Sequence, residues 1–567
     1  MFDAEPLNES PPSEEAPPPD RTLQSFSKLR AYIRNGKAPW RWVDHWKRED
    51  LCDSARITPA DVGVRSGKPF PLRSHRFVSS RAYHRHLRKR FSSDALDASV
   101  DDLRLNAPQD SASGVLSLAQ LLLVSLVIIC IFAALWKAPL LTIIILNAGV
   151  TAYFISSMIF RAFLLAKGAP ALSPPPPISS GALPVITILL PLYRDAKALP
   201  ALNQAMRAIE YPAEKLDIKI LLEEDDAETR REAEQFSADG FYDIIIVPTG
   251  GPKTKPKACN FGMHFARGDL IVIYDAEDQP EPDQLLKAAA AFAAGDDKLA
   301  CVQARLNYYN RDDNWLTRQF TLEYSLWFDW LLPALQRLGA PIPLGGTSNF
   351  LRSDVLMEAG GWDPFNVTED ADLGLRLSKL GYQVEILDST TFEEANCQVG
   401  NWIRQRSRWM KGYLQTWLVH MRQPWRIVST TGWFGLLSVQ LFIAGNVLSA
   451  LINPILWAVF ITWLFTGTDV ISAAFPGPLL WLNIFALTIG NFFFVMLTVI
   501  APLKRGWGGL SIAGLTAPAY WTLTSVAAYK ALWQIMTRPY YWEKTDHVIS
   551  KAALKKREDA LEASSAK

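Results

Sequence analysis

Four apolar runs constrain this chain more than any other feature. Val115 to Trp136 and Leu140 to Leu165 stand close together, and Leu437 to Phe465 and Leu479 to Ile500 follow after a long polar interval. Each is long enough to cross about 30 Å of hydrocarbon as a helix, and in hydrocarbon only helices or closed barrels satisfy every backbone group. The chain is therefore expected to be an integral membrane protein. It should hold a polar domain between a hairpin over 115–165 and a second helical region over 434–536. Composition agrees, since 49% apolar residues and 20 Trp accompany only 20% charged residues.

Basic residues before the first span, Lys167 after the second and Lys504-Arg505 after the fourth place both termini and the polar domain on the cytoplasmic side, although Lys137 in the first turn does not agree. Leu515 to Met536 is interrupted by Lys530 and Gln534, so it reads as a helix in the interface, with a fifth crossing as the alternative. Phe320 to Leu338 and Trp402 to Trp417 also read as amphipathic helices at the bilayer surface. Trp327, Trp330, Trp402 and Trp417 are taken as interface anchors there. Residues 1–20, rich in Pro and Glu, read as a disordered tail, and 21–110 as a cytoplasmic region of unknown role with a basic run over 81–90. No apolar segment follows a basic start, so no signal peptide is expected. Ser173 to Pro177 reads as a stiff linker, and residues 537–567 as an aromatic loop and cytoplasmic tail. The net charge of +1 gives no argument for a nucleic-acid partner, and the five Cys form no C-x-x-C pair, so neither a disulfide framework nor a zinc cluster is expected.

Residues 178–425 change character. Short β-rich runs, clearest at Val185 to Leu190, Ile218 to Leu222, Tyr242 to Val247 and Leu270 to Tyr274, alternate with helical stretches, the pattern of an α/β domain with a mainly parallel sheet. Ligands bind beyond the carboxyl ends of such strands, and acids follow several of them: Tyr193-Arg194-Asp195, Glu223 to Asp226, and Asp275-Ala276-Glu277-Asp278.

Asp275 and Glu277 can share a hard divalent cation, Mg²⁺ or Mn²⁺, whose other ligands are diphosphate oxygens and water. Glu224 or Asp225 can accept a hydrogen bond from a nucleotide base beside the Tyr193 ring, with the inward-pointing acid of 223–226 left open. Lys257 and Asn260 are candidates for phosphate or ribose. Thr368 reads as an N-cap, which puts Glu369 and Asp370 in the first turn of a helix continued by Leu373, Leu377 and Leu380. There the helix dipole should keep Asp370 ionised, as a general base must be. Gln405-Arg406-Ser407-Arg408-Trp409 brings an amide and two guanidinium groups that can hold a diphosphate, beside a ring on which a pyranose can stack.

Together these residues resemble the D, D, D, Q-x-x-R-W pattern of the processive family 2 inverting glycosyltransferases, the group of cellulose, curdlan and hyaluronan synthases, over roughly 180–425. The resemblance implies a Rossmann-like GT-A domain set between transmembrane helices. It implies a UDP-sugar donor and a growing polysaccharide acceptor, with a β-glucan as the expected product, exported across a bacterial inner membrane. It implies Asp370 as the catalytic base; Tyr193, Glu224, Asp225, Lys257, Asp275, Gln405 and Arg408 at the nucleotide; Asp275 and Glu277 at the metal; and Glu369 and Trp409 at the acceptor. Trp542, Lys544 and Thr545 resemble a gating loop. Glu stands for the second Asp of the usual D-x-D, a change that keeps carboxylate chemistry. A transferase adding one sugar to a lipid is the alternative, and export or regulatory subunits are possible partners.

Overall fold

The computed structural model describes residues 88, 91–168, 178–237, 239–468 and 473–543. The expected tail over 1–20, nearly all of the basic run, the Pro linker, Lys544, Thr545 and the tail beyond lie outside the described residues.

Helix α1 (Ser92–Asn106) precedes two apolar helices, α2 (Leu118–Lys137) and α3 (Pro139–Lys167). Ser117 and Gln120 form a capping box, so α2 begins at Leu118 and not at Val115. The polar domain runs through β1 (Ile186–Leu192), α4 (Leu199–Arg207), β2 (Leu216–Glu223), α5 (Ala227–Phe236), β3 (Asp243–Val247), α6 (Lys255–Met263), β4 (Leu270–Ile273), β5 (Gln279–Pro280), α7 (Gln284–Ala294) and β6 (Leu299–Tyr308). It continues with α8 (Trp315–Ser325), a π turn, α9 (Leu332–Arg337), β7 (Asn349–Arg352), α10 (Ser353–Glu358), α11 (Glu369–Lys379), β8 (Gln383–Glu393) and α12 (Val399–His420). The chain then forms α13 (Pro424–Val439), α14 (Gly445–Thr466), α15 (Gly477–Phe485), α16 (Asn491–Ile500) and α17 (Ala517–Thr537).

Eight described strands form one sheet in the order β3-β2-β1-β4-β7-β6-β8-β5. The first four are parallel, β7 runs against β4 and β6, and β6 and β8 are parallel. Their apolar runs are nearly continuous because both faces are covered. Ile186, Ile188 and Leu190 point into one core with α4 and α7, while Leu189 points into the other with α6, α9 and α11. The α/β class with a mainly parallel sheet expected from the sequence is the one found.

Among the described residues, four helical stretches have the length and hydropathy to cross a membrane: Leu118–Lys137, Pro139–Lys167, Pro424–Thr466 and Gly477–Arg505. The third is longer than the run Leu437 to Phe465 because α13 and α14 are continuous; Gly432, at φ 70°, kinks α13 and sets off its first two turns. Helix α17 starts and ends close to the apolar run that predicts it. One face of it packs on protein: Ala528 and Ala531 are buried against Met410 of α12 and Val447 of α14.

The surface-anchor reading needs correction at Trp402. Trp402 is fully buried, its ring 5.0 Å from that of Tyr520. Trp327 packs on Phe442, Trp330 donates to the Ala501 carbonyl at 3.1 Å, and Trp417 donates to Gln440 at 2.9 Å. Phe320 to Leu338 is likewise internal, with Phe328, Leu331, Leu332 and Leu335 all in the core. Amphipathic periodicity shows that a helix has a buried face, and here that face meets protein.

Candidate active site

The carboxyl ends of β1, β2, β4 and β8 and the starts of α6 and α11 surround one cavity of about 870 Å³. Tyr193, Asp195, Glu223, Lys255, Asp275, Glu277, Glu369, Asp370, Glu393, Gln405, Arg408, Trp409 and Trp542 all line it. Sequence positions hundreds of residues apart thus converge because parallel strands deliver their ends to one edge.

Asp275 follows β4 in a tight turn, its N–H donating to Asp278 at 2.6 Å. Asp278 also receives the Thr347 hydroxyl, and burial holds its carboxyl well above the usual range. Lys255, at the first position of α6, forms an ion pair with Asp275 and donates to the Gly346 carbonyl at 2.7 Å. Its pKa is raised: burial alone would lower it, but the charges of Asp275 and Glu369 outweigh that. Two carboxylates on a strand-end turn are hard oxygen donors of the kind a divalent ion takes, and they face open cavity.

Asp370 lies in the first turn of α11, its carboxylate receiving the Ala371 N–H at 2.7 Å. Opposite it, a Cβ on Gly346 would come within 3.1 Å of its Oδ2, so glycine keeps that approach open. The dipole argument for this residue requires correction. Burial is the dominant influence and pushes its pKa up to about 6, against the hydrogen bond from Ala371 and the nearby charge of Lys255. Burial, reinforced by Asp370, pushes Glu369 up to about 8. Thr368 occupies the N-cap position but makes no side-chain capping bond. Instead its N–H donates to Asn366 at 3.1 Å, and Asn366 donates to Thr416 of α12 at 2.9 Å. Gly412 of α12 packs so closely on Thr368 that any side chain there would collide. The two helices bearing candidate residues are therefore locked together.

The two Arg of the Gln405 to Trp409 string part company. Positions two apart on a helix point about 200° apart, so although both border the cavity they take different partners. Arg406 pairs with Glu323 at 2.7 Å, donates to the Tyr520 hydroxyl at 2.8 Å, and lies 4.7 Å from the Trp409 ring centroid. It fixes the Trp409 ring. Arg408 faces the cavity, 4.5 Å from the Trp542 ring centroid. Burial lowers its pKa, and the charges of Glu369, Asp275, Asp370 and Glu277 act against that. Gln405 accepts from Asn396 at 2.8 Å.

Several expected contacts are not made. Glu224 is taken by Thr249, whose N–H and hydroxyl both lie 3.0 Å away, and Asp225 pairs with Lys253 at 2.6 Å; neither lines the cavity. Asp226 caps α5. Of the four acids it is Glu223 that reaches the cavity wall. Lys257 is fully buried and pairs with Glu223 at 2.8 Å, so it braces the wall and does not face a ligand. Asn260 is also structural, donating to the Ser99 and Trp362 carbonyls at 3.0 and 2.7 Å. The sequence reading missed Lys255 and Glu393. Pro256 marks a helix start and so places Lys255 at a helix N-terminus, a signal that was present, whereas Glu393 ends a strand of mixed polar and apolar residues that carries no clear signal.

The model of glycosyl transferase family group 2 matches residues 270–529. A probable glycosyltransferase, YdaM, of Bacillus subtilis is 26% identical over 313 residues, which cover 54% of this chain and 72% of that protein. A beta-monoglucosyldiacylglycerol synthase of Trichormus variabilis is 28% identical over 248 residues, 42% of this chain and 51% of its own length. A probable glucomannan 4-beta-mannosyltransferase of Oryza sativa is 26% identical over 244 residues, 41% of each. The match thus spans about half or less of the length of the last two relatives.

Proposed function

We propose that this chain, an enzyme whose residues 270–529 carry a family 2 glycosyltransferase domain, is a processive inverting synthase. It builds a β-linked exopolysaccharide from a UDP-sugar and passes the product through its own membrane helices. One observation carries the reading. The lining of the cavity that holds Asp370 also includes residues of α3, α14 and α15, among them Trp457, Trp463, Asn453 and Asn483. Rings for stacking and amides for hydroxyls suit a sugar chain at membrane depth, where an acyl chain would need neither.

In the transfer step, ionised Asp370 takes the proton of the acceptor hydroxyl as its oxygen attacks the anomeric carbon of an α-linked donor. The bond to the UDP oxygen breaks on the opposite face, which leaves a β-linkage. Arg408 and Lys255 lie where negative charge develops on the departing diphosphate. Asp275 and Glu277 would hold Mg²⁺ or Mn²⁺, which neutralises the diphosphate when bound. Glu369, kept protonated by burial, donates to the acceptor, and Trp409 offers it a flat face. Lys167, Lys504 and Arg505 on the domain side of the spans support a cytoplasmic catalytic face in a bacterial inner membrane.

The relative that makes a glucosyldiacylglycerol supports a second reading, one sugar added to a lipid. Asp370→Asn tests the catalytic core of both: transfer should vanish while UDP binding persists, and transfer that survives the substitution removes the assignment.

A further inference from the structure

Among the described cations that line the cavity is Arg161, which has neither a carboxylate partner nor a task in the transfer mechanism. Arg161 lies on α3, about 9 Å along the helix from Lys167 at a rise of about 1.5 Å per residue. Arg337 ties that end of α3 to the catalytic domain by donating to the Lys167 carbonyl at 2.7 Å. The guanidinium of Arg161 donates to the Ser157 hydroxyl and, at 3.1 Å, to the Asn446 amide oxygen. Phe442 and Phe494 flank it with ring centroids at 5.3 and 5.4 Å. Every one of these partners is neutral, and among the described residues no carboxylate pairs with it.

An intramembrane cation is costly unless a counter-charge is supplied, and such residues mark ligand pathways. Arg161 is held in position by neutral groups and borders the cavity, so an entering ligand can supply that charge. The ligand is also hydroxylated in character. Asn453 and Ser449 face the same space, Trp457 and Trp463 add ring faces, and the Asn453 amide has no hydrogen-bond partner among the described residues.

We propose that Arg161 is an anion subsite for the glycan: it takes an acidic group, carboxylate or phosphate, borne by the sugar chain in the intramembrane part of the cavity. This rests on the polymerase reading and narrows its product from a neutral β-glucan to an acidic polysaccharide.

The test is equilibrium binding to the full chain in lipid nanodiscs, comparing a glucuronate-containing hexasaccharide with an uncharged glucan hexasaccharide of equal length. Wild type should bind the acidic ligand about tenfold more tightly, a preference worth about 1.4 kcal/mol, and added salt should weaken it. Arg161→Gln should bind both ligands equally, while Arg161→Lys keeps part of the preference. Retained affinity of Arg161→Gln for the neutral ligand shows that the variant is folded. If that variant does not fold, the wild-type preference and its salt dependence decide. Equal binding by wild type, or a preference that survives Arg161→Gln, overturns the proposal. So does an Arg161-dependent affinity for dioleoyl phosphatidate without any glycan preference, which would assign the site to a lipid headgroup. Asp370→Asn should leave the preference unchanged, so a failure of the catalytic reading and a failure of this one are seen separately.

Discussion

The Arg408 guanidinium lies 4.5 Å from the Trp542 ring centroid, joining the α12 helix to the segment that follows α17 at the wall of the active-site cavity. The segment also bonds to α12 directly, since Lys411 donates to the Tyr541 carbonyl at 2.7 Å and Gln415 to the Pro539 carbonyl at 3.1 Å. With Arg408 at the donor diphosphate, as proposed, this contact would couple donor binding to the position of the segment.

Removing the ring should weaken donor binding. A partly desolvated cation–π contact is worth about 1–2 kcal/mol, so Trp542→Ala should raise the KM for the donor about 5–30-fold. Trp542→Phe should recover most of the loss. Titration of UDP release against donor concentration measures both.

The two acids that open α11 predict a two-sided pH profile. Asp370 must be ionised to act, and burial pushes its pKa up to about 6, so kcat/KM should fall about tenfold per pH unit below that value. Glu369, pushed up to about 8, loses its donated proton above that pH and produces the alkaline decline. Glu369→Gln should abolish the alkaline limb and keep the acid one, as a pH series of initial rates would show.

Metal dependence should follow Asp275 and Glu277. Chelation by EDTA should stop UDP release, and Asp275→Asn or Glu277→Gln should raise the Mg²⁺ or Mn²⁺ concentration for half-maximal rate at least about tenfold, or about 1.4 kcal/mol. Activity unchanged by EDTA would show that Lys255 and Arg408 neutralise the diphosphate by themselves.

Lys257 belongs to stability and not to catalysis. It is fully buried against Glu223, so Lys257→Met strands a buried carboxylate and should cost about 3–5 kcal/mol. Glu224→Ala and Asp225→Ala, at exposed positions, should leave stability nearly unchanged. Chemical denaturation of the detergent-purified protein distinguishes the two cases.

Much of this was legible in the chain itself. Short, nearly continuous β-rich apolar runs located the strands of the parallel half, and the motif acids after them fell at one sheet edge because that is where parallel strands end. What the sequence could not order were the choices made by tertiary contact. Which acid of 223–226 faces inward depends on Lys257 and Thr249 claiming Glu223 and Glu224. Asp370 has its pKa set by burial between helices locked at Gly412, a packing fact that no local dipole argument contains. Trp402 is misassigned from sequence because an aromatic helix face looks the same whether it meets lipid or protein. Arg161 drew no attention because a single Arg near a helix end reads as an anchor until the cavity beside it is seen.

The measurement that tests the central claim most directly is UDP release by the purified wild-type chain across a panel of UDP-sugars with Mg²⁺ or Mn²⁺, with the product sized and digested by linkage-specific glycosidases. A long β-linked polymer from an accepted donor, absent with Asp370→Asn, is the predicted result. A product carrying one sugar on a lipid, or UDP release with no glycan at all, would contradict it.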